Sequence, residues 1–352
     1  MTFVVTLADA ADAAAVGGKA ASLGELARAG VAVPPGFAVT TEAFTAAMTA
    51  LDADGALRAG IEALSADVAE IARVAARFRA LVADAPLPAE VAAAIESSYA
   101  ALADNPDVAV RSSATVEDSA EASFAGLQDT YLGVSGAASV LGYVRRCWAS
   151  LYNDESVAYR RRLGLPEDEV AMAVVVQRMV APRAAGVMFT RSPVTGDRSV
   201  VAIEGTWGLG SALVSGDVTP DSWVISKITG EITGRRVSPK VKIHRYLPNE
   251  SVASPVARVT VADTPADLRE TPCLTDDEIR ALAAVARRVE AHYGAPQDIE
   301  WAVLDGEHAP EERVVLLQSR PETVWASRDT SPAGAPKPRP ADHVLSLFGK
   351  PL

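Results

Sequence analysis

An arginine at the end of an apolar run, followed by small hydroxyl residues, is the first place in this sequence where chemistry could be done. Arg111 closes the run 108–110 and precedes Ser112, Ser113 and Thr115, with the small-residue segment 126–130, from Gly126 to Thr130, beyond. A cation followed by hydroxyl and backbone donors of little bulk suits a phosphate, although an arginine such as Arg111 taken alone is more often a surface salt-bridge partner than a ligand. A second group lies far downstream. Asp298 and Glu300 stand two apart in the run QDIEWAVL, so on a strand they share one face while Ile299, Trp301 and Val303 share the other. Gln318 and Arg320 repeat the spacing after the apolar VVLL. Carboxylate and amide oxygens at this separation are hard ligands suited to Mg²⁺ bridging phosphates, with an arginine to take remaining charge, or else they decorate a solvated hairpin end.

Two glycine clusters add anion-binding potential. Gly17, Gly18 and Lys19 are predicted to open a helix, whose N-terminal N–H groups and partial positive charge attract anions. Ala20 after the lysine fails the P-loop pattern, which leaves a helix start with a surface lysine as the alternative. The cluster Gly205, Gly208 and Gly210 follows the run SVVAIE without the glycine order of a dinucleotide fingerprint, so a tight turn is an equal reading.

The elements that must position these residues follow from periodicity. The segment 17–30 reads as a glycine turn feeding a helix that stops at Gly30. Leu57, Ile61, Leu64, Val68, Ile71 and Val74 recur at helical spacing and predict one amphipathic stretch to about Val82. Strands are predicted at 171–180, 186–190, 199–205 and 222–227, between Gly and Pro punctuation. Thr275 with Glu278 forms a capping box for a helix closed by Gly294, and a hairpin turning at Asp305 and Gly306 comes next. After Trp325 the Pro-rich segment has the composition of a linker, ending in a short apolar tail.

Composition narrows the partners. Across 352 residues, 45 acidic side chains against 33 basic ones give a net charge of −12, which disfavours a general nucleic-acid or anionic-membrane surface. A polyanion must then be held by local cations or a metal. Cys147 and Cys273 are far apart and outside any ligand spacing, so each is expected to be a buried small hydrophobe. No basic leader and no run of about 20 apolar residues occurs, which predicts a cytoplasmic protein.

Taken in order, the segments GGKAASLGEL, VAVRSSATVEDSAEASFAGLQDTYLGV, CWASLYNDESVAYR, VVVQRMV with GVMFTRSPVTG, GTWGLGSALVSGDVTPD, and QDIEWAV with LLQSRP resemble the nucleotide-binding domain of the dikinases. That family includes phosphoenolpyruvate synthase, pyruvate, phosphate dikinase, rifampin phosphotransferase and phenylphosphate synthase, and the likeness covers nearly residues 1–325. It implies an α+β fold of the ATP-grasp type, two lobes clamping ATP, with an N-terminal helical and mixed-sheet portion. The implied divisions are an N-terminal lobe at 1–180, a second lobe at 181–325 and a linker and tail at 326–352.

By the same resemblance Lys19 and Arg111 are the phosphate-binding cations, and Gly126 and Thr130 belong to the small loop over the phosphates. Gln177, Met179 and Val180 match the segment that reads adenine. Glu300 and Gln318 are the implied Mg²⁺ ligands, with Asp298 beside them and Arg320 on the transferring phosphoryl groups. Where relatives carry Glu after GLG, this chain has Ser211.

The implied reaction cleaves ATP to AMP and phosphate, with the β-phosphoryl passing to a histidine on a separate domain or partner chain and then to a small-molecule acceptor. His244, His292, His308 and His343 lie in no Gly- and Thr-rich acceptor loop, so each is expected to be a surface histidine. The alternatives are an ATP-binding sensor without transfer, or a piece of a longer enzyme.

Overall fold

The computed structural model describes residues 1–64, 68–114, 118–119, 122–123, 129–167, 170–247, 258–323 and 325. The expected positions Thr115, Gly126 and His343 and the linker and tail at 326–352 lie outside the described residues. In chain order the first half runs β1 (Val4–Thr6), α1 (Ala13–Arg28), β2 (Gly36–Val39), α2 (Thr41–Leu51), α3 (Ala56–Glu62), α4 (Val68–Asp84) and α5 (Ala89–Ala100). It continues with β3 (Val108–Ala114), β4 (Asp118–Ser119), β5 (Ala122–Ser123), β6 (Thr130–Val134), α6 (Ala137–Ser150), α7 (Asp154–Leu163) and β7 (Met172–Arg178). The second half is β8 (Pro182–Phe189), β9 (Val200–Trp207), α8 (Ser211–Val214), β10 (Asp221–Ser226), β11 (Ile232–Arg236), β12 (Lys242–Tyr246) and β13 (Val259–Asp263). It closes with α9 (Asp276–Tyr293), β14 (Gln297–Leu304), α10 (Pro310–Arg313) and β15 (Val314–Pro321).

These elements build two main sheets, as expected of an α+β protein. The first has strand order β1-β2-β7-β3-β6. Every described pairing in it is antiparallel, which corrects the expected mixed sheet. After α1 the chain runs on as 31–35, with the Ala32 carbonyl accepting from Leu316 N–H and the Pro35 carbonyl from Arg178 N–H, before β2 pairs antiparallel to β7. β7 is apolar at almost every position because both of its faces are covered. Val174 and Val176 join the core beneath α2 and α4–α6, and Val175 packs with Val16, Ala20 and Leu23 of α1.

The second sheet has order β11-β10-β9-β8-β14-β15, antiparallel throughout. Its β14 alternates as the sequence predicts. Ile299, Trp301 and Val303 are buried in the core that Ile279, Leu282, Ala286 and Val289 of α9 complete, while Asp298 and Glu300 stay half-buried. Burying Ile299 or Val303 contributes roughly 1.5–3 kcal/mol each, and that fixes which face the acids occupy. α9 begins at the predicted capping box and ends on Gly294, with φ 66°. Glu278 of that box also receives both oxygens' worth of bonding from Arg183 Nη2, at 2.6 and 2.7 Å. Burial pushes the Glu278 carboxyl up, but the Thr275 N–H and the Arg183 guanidinium outweigh it and hold it below the usual range. Elsewhere a fully buried ion pair, Lys240 Nζ to Asp221 Oδ1 at 2.7 Å, ties the start of β10 to the stretch before β12.

Two predicted helices differ in detail. The stretch 57–82 is two helices, α3 and α4, rather than one. The Gly-Gly-Lys segment does not start α1: Asp12, five residues before Gly17, caps it, accepting from Ala14 N–H. Instead the helix breaks at Gly17, φ 75° and ψ 164°, so Gly18 and Lys19 head a second helical segment. The break lets the backbone press on β3, since a Cβ on Gly17 would lie 2.1 Å from the Ser113 carbonyl oxygen. Gly17→Ala should therefore cost on the order of 3 kcal/mol in urea unfolding, from the clash and the left-handed φ together. A loss below about 0.5 kcal/mol would show that the close approach is dispensable.

Candidate functional site

Arg111 lies in β3 opposite Thr130 of β6 and Val175 of β7, but its side chain leaves the first sheet. Nη2 donates to Glu300 Oε2 at 2.9 Å and to Gln318 Oε1 at 2.6 Å, and Nη1 donates to the Leu317 carbonyl at 2.8 Å. The β14–β15 hairpin makes this possible. Glu300 pairs with Gln318, but Trp301 pairs with Leu316, so a bulge leaves Leu317 without a cross-strand partner and turns its carbonyl to the guanidinium. Arg111 is only 11% exposed, and its Nε is buried without a hydrogen-bond partner among the described residues.

The acids and cations of the hairpin are arranged in two rungs. Next to the Glu300–Gln318 rung, Asp298 pairs with Arg320, whose Nε is 3.5 Å from Asp298 Oδ2. Burial pushes the Asp298 carboxyl up to about 6, with Arg320 opposing the shift and Glu322 adding to it. Asp298 Oδ1 is buried without a partner among the described residues. Arg320 is 47% exposed and far less constrained than Arg111.

Lys19 is half-buried just past the Gly17 break. The same turn is clipped to β3 by Ser113, whose Oγ donates to the Val16 carbonyl at 3.0 Å and accepts from Ala20 N–H at 3.4 Å. Thr130 is exposed at the start of β6, beside Arg111, whereas Gly126 is outside the described residues. Lys19, Arg111, Thr130, Glu300 and Gln318 are therefore set by β3 and the elements packed on it.

The predicted adenine segment divides. Gln177 is 3% exposed and its amide donates to the Pro34 carbonyl at 3.2 Å, so its side chain is committed to the fold. Met179 and Val180 are half-buried in the short connection from β7 to β8. That connection is braced by groups sequence reasoning missed. Met179 N–H donates to the Asp107 carbonyl, and the buried Asp107 carboxylate accepts from Tyr246 Oη at 2.7 Å and from Arg258. No periodicity marks Asp107, Tyr246 or Arg258.

A second missed cluster holds the glycine turn. His244, expected at the surface, is buried because β12 lies against that turn: Gly208 bridges to it and Leu209 N–H donates to its carbonyl. Its Nδ1 is 2.9 Å from Ser211 Oγ and its Nε2 is 3.0 Å from Asp217 Oδ2. The Ser215 hydroxyl and His244 hold the Asp217 carboxyl below the usual range. The exposed His292 and His308 are as expected. Cys147 and Cys273 are buried free thiols, that of Cys147 donating to the Val110 and Asp129 carbonyls at 3.8 and 3.9 Å, and burial pushes both up, so neither is a ready nucleophile.

Among the described residues no group of three or more His, Cys, Asp or Glu side chains gathers to hold a metal. The converging donors are one carboxylate and one amide, Glu300 and Gln318, both bonded to a single guanidinium nitrogen. Hard oxygens at one point fit Mg²⁺, which keeps several waters or phosphate oxygens rather than a full protein cage. No described helix is long and apolar enough to cross a membrane.

The family model of the pyruvate phosphate dikinase AMP/ATP-binding domain matches residues 13–339. A rifampicin phosphotransferase from a Streptomyces species is 46% identical over 320 residues, covering 90% of this chain and 35% of that protein. A protein named "Probable phosphoenolpyruvate synthase" from Methanothermobacter thermautotrophicus is 43% identical over 319 residues, covering 89% and 44%. The phosphoenolpyruvate synthase of Aeropyrum pernix is 41% identical over 337 residues, covering 89% and 41%. The chain thus spans less than half the length of these curated relatives.

The raised Asp298 carboxyl makes stability depend on pH. Its contribution is present below the unfolded value of 3.8 and is lost as pH rises through about 6. Asp298→Asn removes that dependence. Urea unfolding in EDTA should find the two chains alike near about pH 4 and the wild type weaker by on the order of 2 kcal/mol near about pH 7.

Proposed function

The chain belongs to the pyruvate phosphate dikinase AMP/ATP-binding domain family, and from that membership we propose that it grips Mg²⁺-ATP in an ATP-grasp cleft and supports transfer of the β-phosphoryl group to a histidine. In this reading residues 1–180 and 181–325 are the two lobes. The observation that carries it is the meeting of Arg111 from one sheet with Glu300 and Gln318 from the other.

Phosphoryl transfer asks little covalent chemistry of the protein and much positioning and charge neutralisation. Glu300 and Gln318 would hold Mg²⁺, with Asp298 beside them, and the ion when bound neutralises charge on the phosphate oxygens. Arg111 and Arg320 bind phosphoryl oxygens through guanidinium groups, which suit them in pairs. Lys19, at the head of the helical segment after Gly17, adds a full charge to that segment's N-terminal N–H groups. Thr130 lies at the phosphates in this reading, together with Gly126, which is outside the described residues. Because the Gln177 amide is bonded to Pro34, adenine is read by the main chain and side chains of Met179 and Val180, with Gln177 shaping the floor.

The acceptor histidine comes from a domain fused to this one or from a partner chain, and the small-molecule acceptor is bound there. None of the described histidines serves: His244 has both ring nitrogens engaged, and His292 and His308 lie at the surface beside Glu25 and Glu312. The histidine nitrogen takes the β-phosphoryl as AMP leaves, and water takes the γ-phosphoryl, so the products are AMP, phosphate and the phosphohistidine.

The test is to mix the chain with Mg²⁺-ATP and the histidine-bearing domain of a relative and to separate AMP from ADP. AMP that depends on the added domain supports the reading. ADP contradicts it, and unchanged ATP despite tight binding points to a sensor. Glu300→Gln keeps an acceptor for Arg111 but weakens the hold on the metal, and it should lower AMP formation on the order of 100-fold with the fold intact. Wild-type AMP formation in that variant would remove Glu300 from the site.

A further inference from the structure

Resting on that functional reading, we propose that Arg111 makes metal capture conditional on the nucleotide: without a polyphosphate its guanidinium holds the metal-binding oxygens of Glu300 and Gln318, and a polyphosphate draws it off them. A single nitrogen, Nη2, bonds both oxygens, at 2.9 and 2.6 Å. Mg²⁺ binds oxygen at about 2.0–2.1 Å, so an ion bridging these two oxygens on the side that faces Arg111 takes the space of that nitrogen. Cation and ion also repel each other in a place where Arg111 is nearly buried. They compete for the same two atoms.

The competitor is built to stay until something better arrives. Nη1 is anchored on the bulged Leu317 carbonyl, so the fork is held in register with the rung by the hairpin's own irregularity. Nε is buried and lacks a hydrogen-bond partner among the described residues, which leaves the guanidinium with donor capacity unspent. A phosphate offers this planar group two oxygens at once and carries more charge than the Glu300 carboxylate. When Nη2 turns to it, Glu300 and Gln318 are released together. Arg320 plays no such part, because it stands on the neighbouring rung with Asp298. By linkage, the factor by which nucleotide raises metal affinity equals the factor by which metal raises nucleotide affinity.

The experiment titrates Mn²⁺ alone into the nucleotide-free chain, following free Mn²⁺ by electron paramagnetic resonance. Arg111→Met should bind Mn²⁺ at least about 10-fold tighter than wild type, a gain within the usual range of coupling between sites. Adding Glu300→Gln to Arg111→Met should abolish that gain. If the Met variant fails to fold, Arg111→Lys, which keeps a cation but cannot fork, should show a smaller gain of roughly 3-fold. Equal Mn²⁺ affinity in wild type and the folded variant overturns the proposal, as does a gain that survives Glu300→Gln. A non-hydrolysable ATP analogue is titrated separately. Failure of the wild type to bind it brings down the functional reading, whereas analogue binding with Mn²⁺ affinity indifferent to Arg111 brings down the gate alone.

Discussion

One guanidinium shared among three acceptors governs the arrangement of this protein. Arg111 leaves the middle of one sheet and ends on Glu300, Gln318 and Leu317 of the other, so a charge rooted in the first sheet is neutralised only when the second is in place. An arginine this buried would be costly without such partners, and two of its acceptors would be poor neighbours for each other's lone pairs without a cation between them. The same pairing makes the spot suited to a metal and to a phosphate. Each can replace one half of the existing interaction.

Burial supplies the rigidity that this contact needs. β7 is covered on both faces, which pins β3 beside it, and β3 carries Arg111. Trp301, Ile299 and Val303 lock the orientation of β14 under α9, leaving Glu300 no face but the one toward Arg111. The bulge at Leu317 sets the reach of the hairpin. Two residues further along the same face of β3, the break at Gly17 brings α1 against Ser113 and sets Lys19 near the same strand. α1 is bonded to β15 as well, through Ser22 Oγ to the Ser319 carbonyl at 2.7 Å, so one helix braces both sheets.

Around this centre lie two clusters whose work is positional. Asp107, Tyr246 and Arg258 brace the β7–β8 connection from the β12–β13 hairpin. Ser211, His244 and Asp217 fasten the glycine turn to β12. Ser211 is thus part of a local hydrogen-bonded chain. Its hydroxyl engages a histidine that the sequence suggested would be at the surface.

What the sequence determined by itself was local. The two-residue alternation of QDIEWAVL separated acids from apolar residues, the Thr275–Glu278 box and Gly294 bounded α9, and the run AVVVQ announced a strand, because each of these signals is set by neighbours within a turn or a strand. The order of motifs was enough for the family. Tertiary structure alone decided that Arg111 would meet Glu300 across 189 residues, that Gln177 would spend its amide on Pro34, that His244 would be buried, and that Gly17 would break a helix rather than begin one. Those outcomes depend on which surfaces are pressed together after the sheets form, and a side chain's partner at that range is fixed by packing and charge balance rather than by its own spacing.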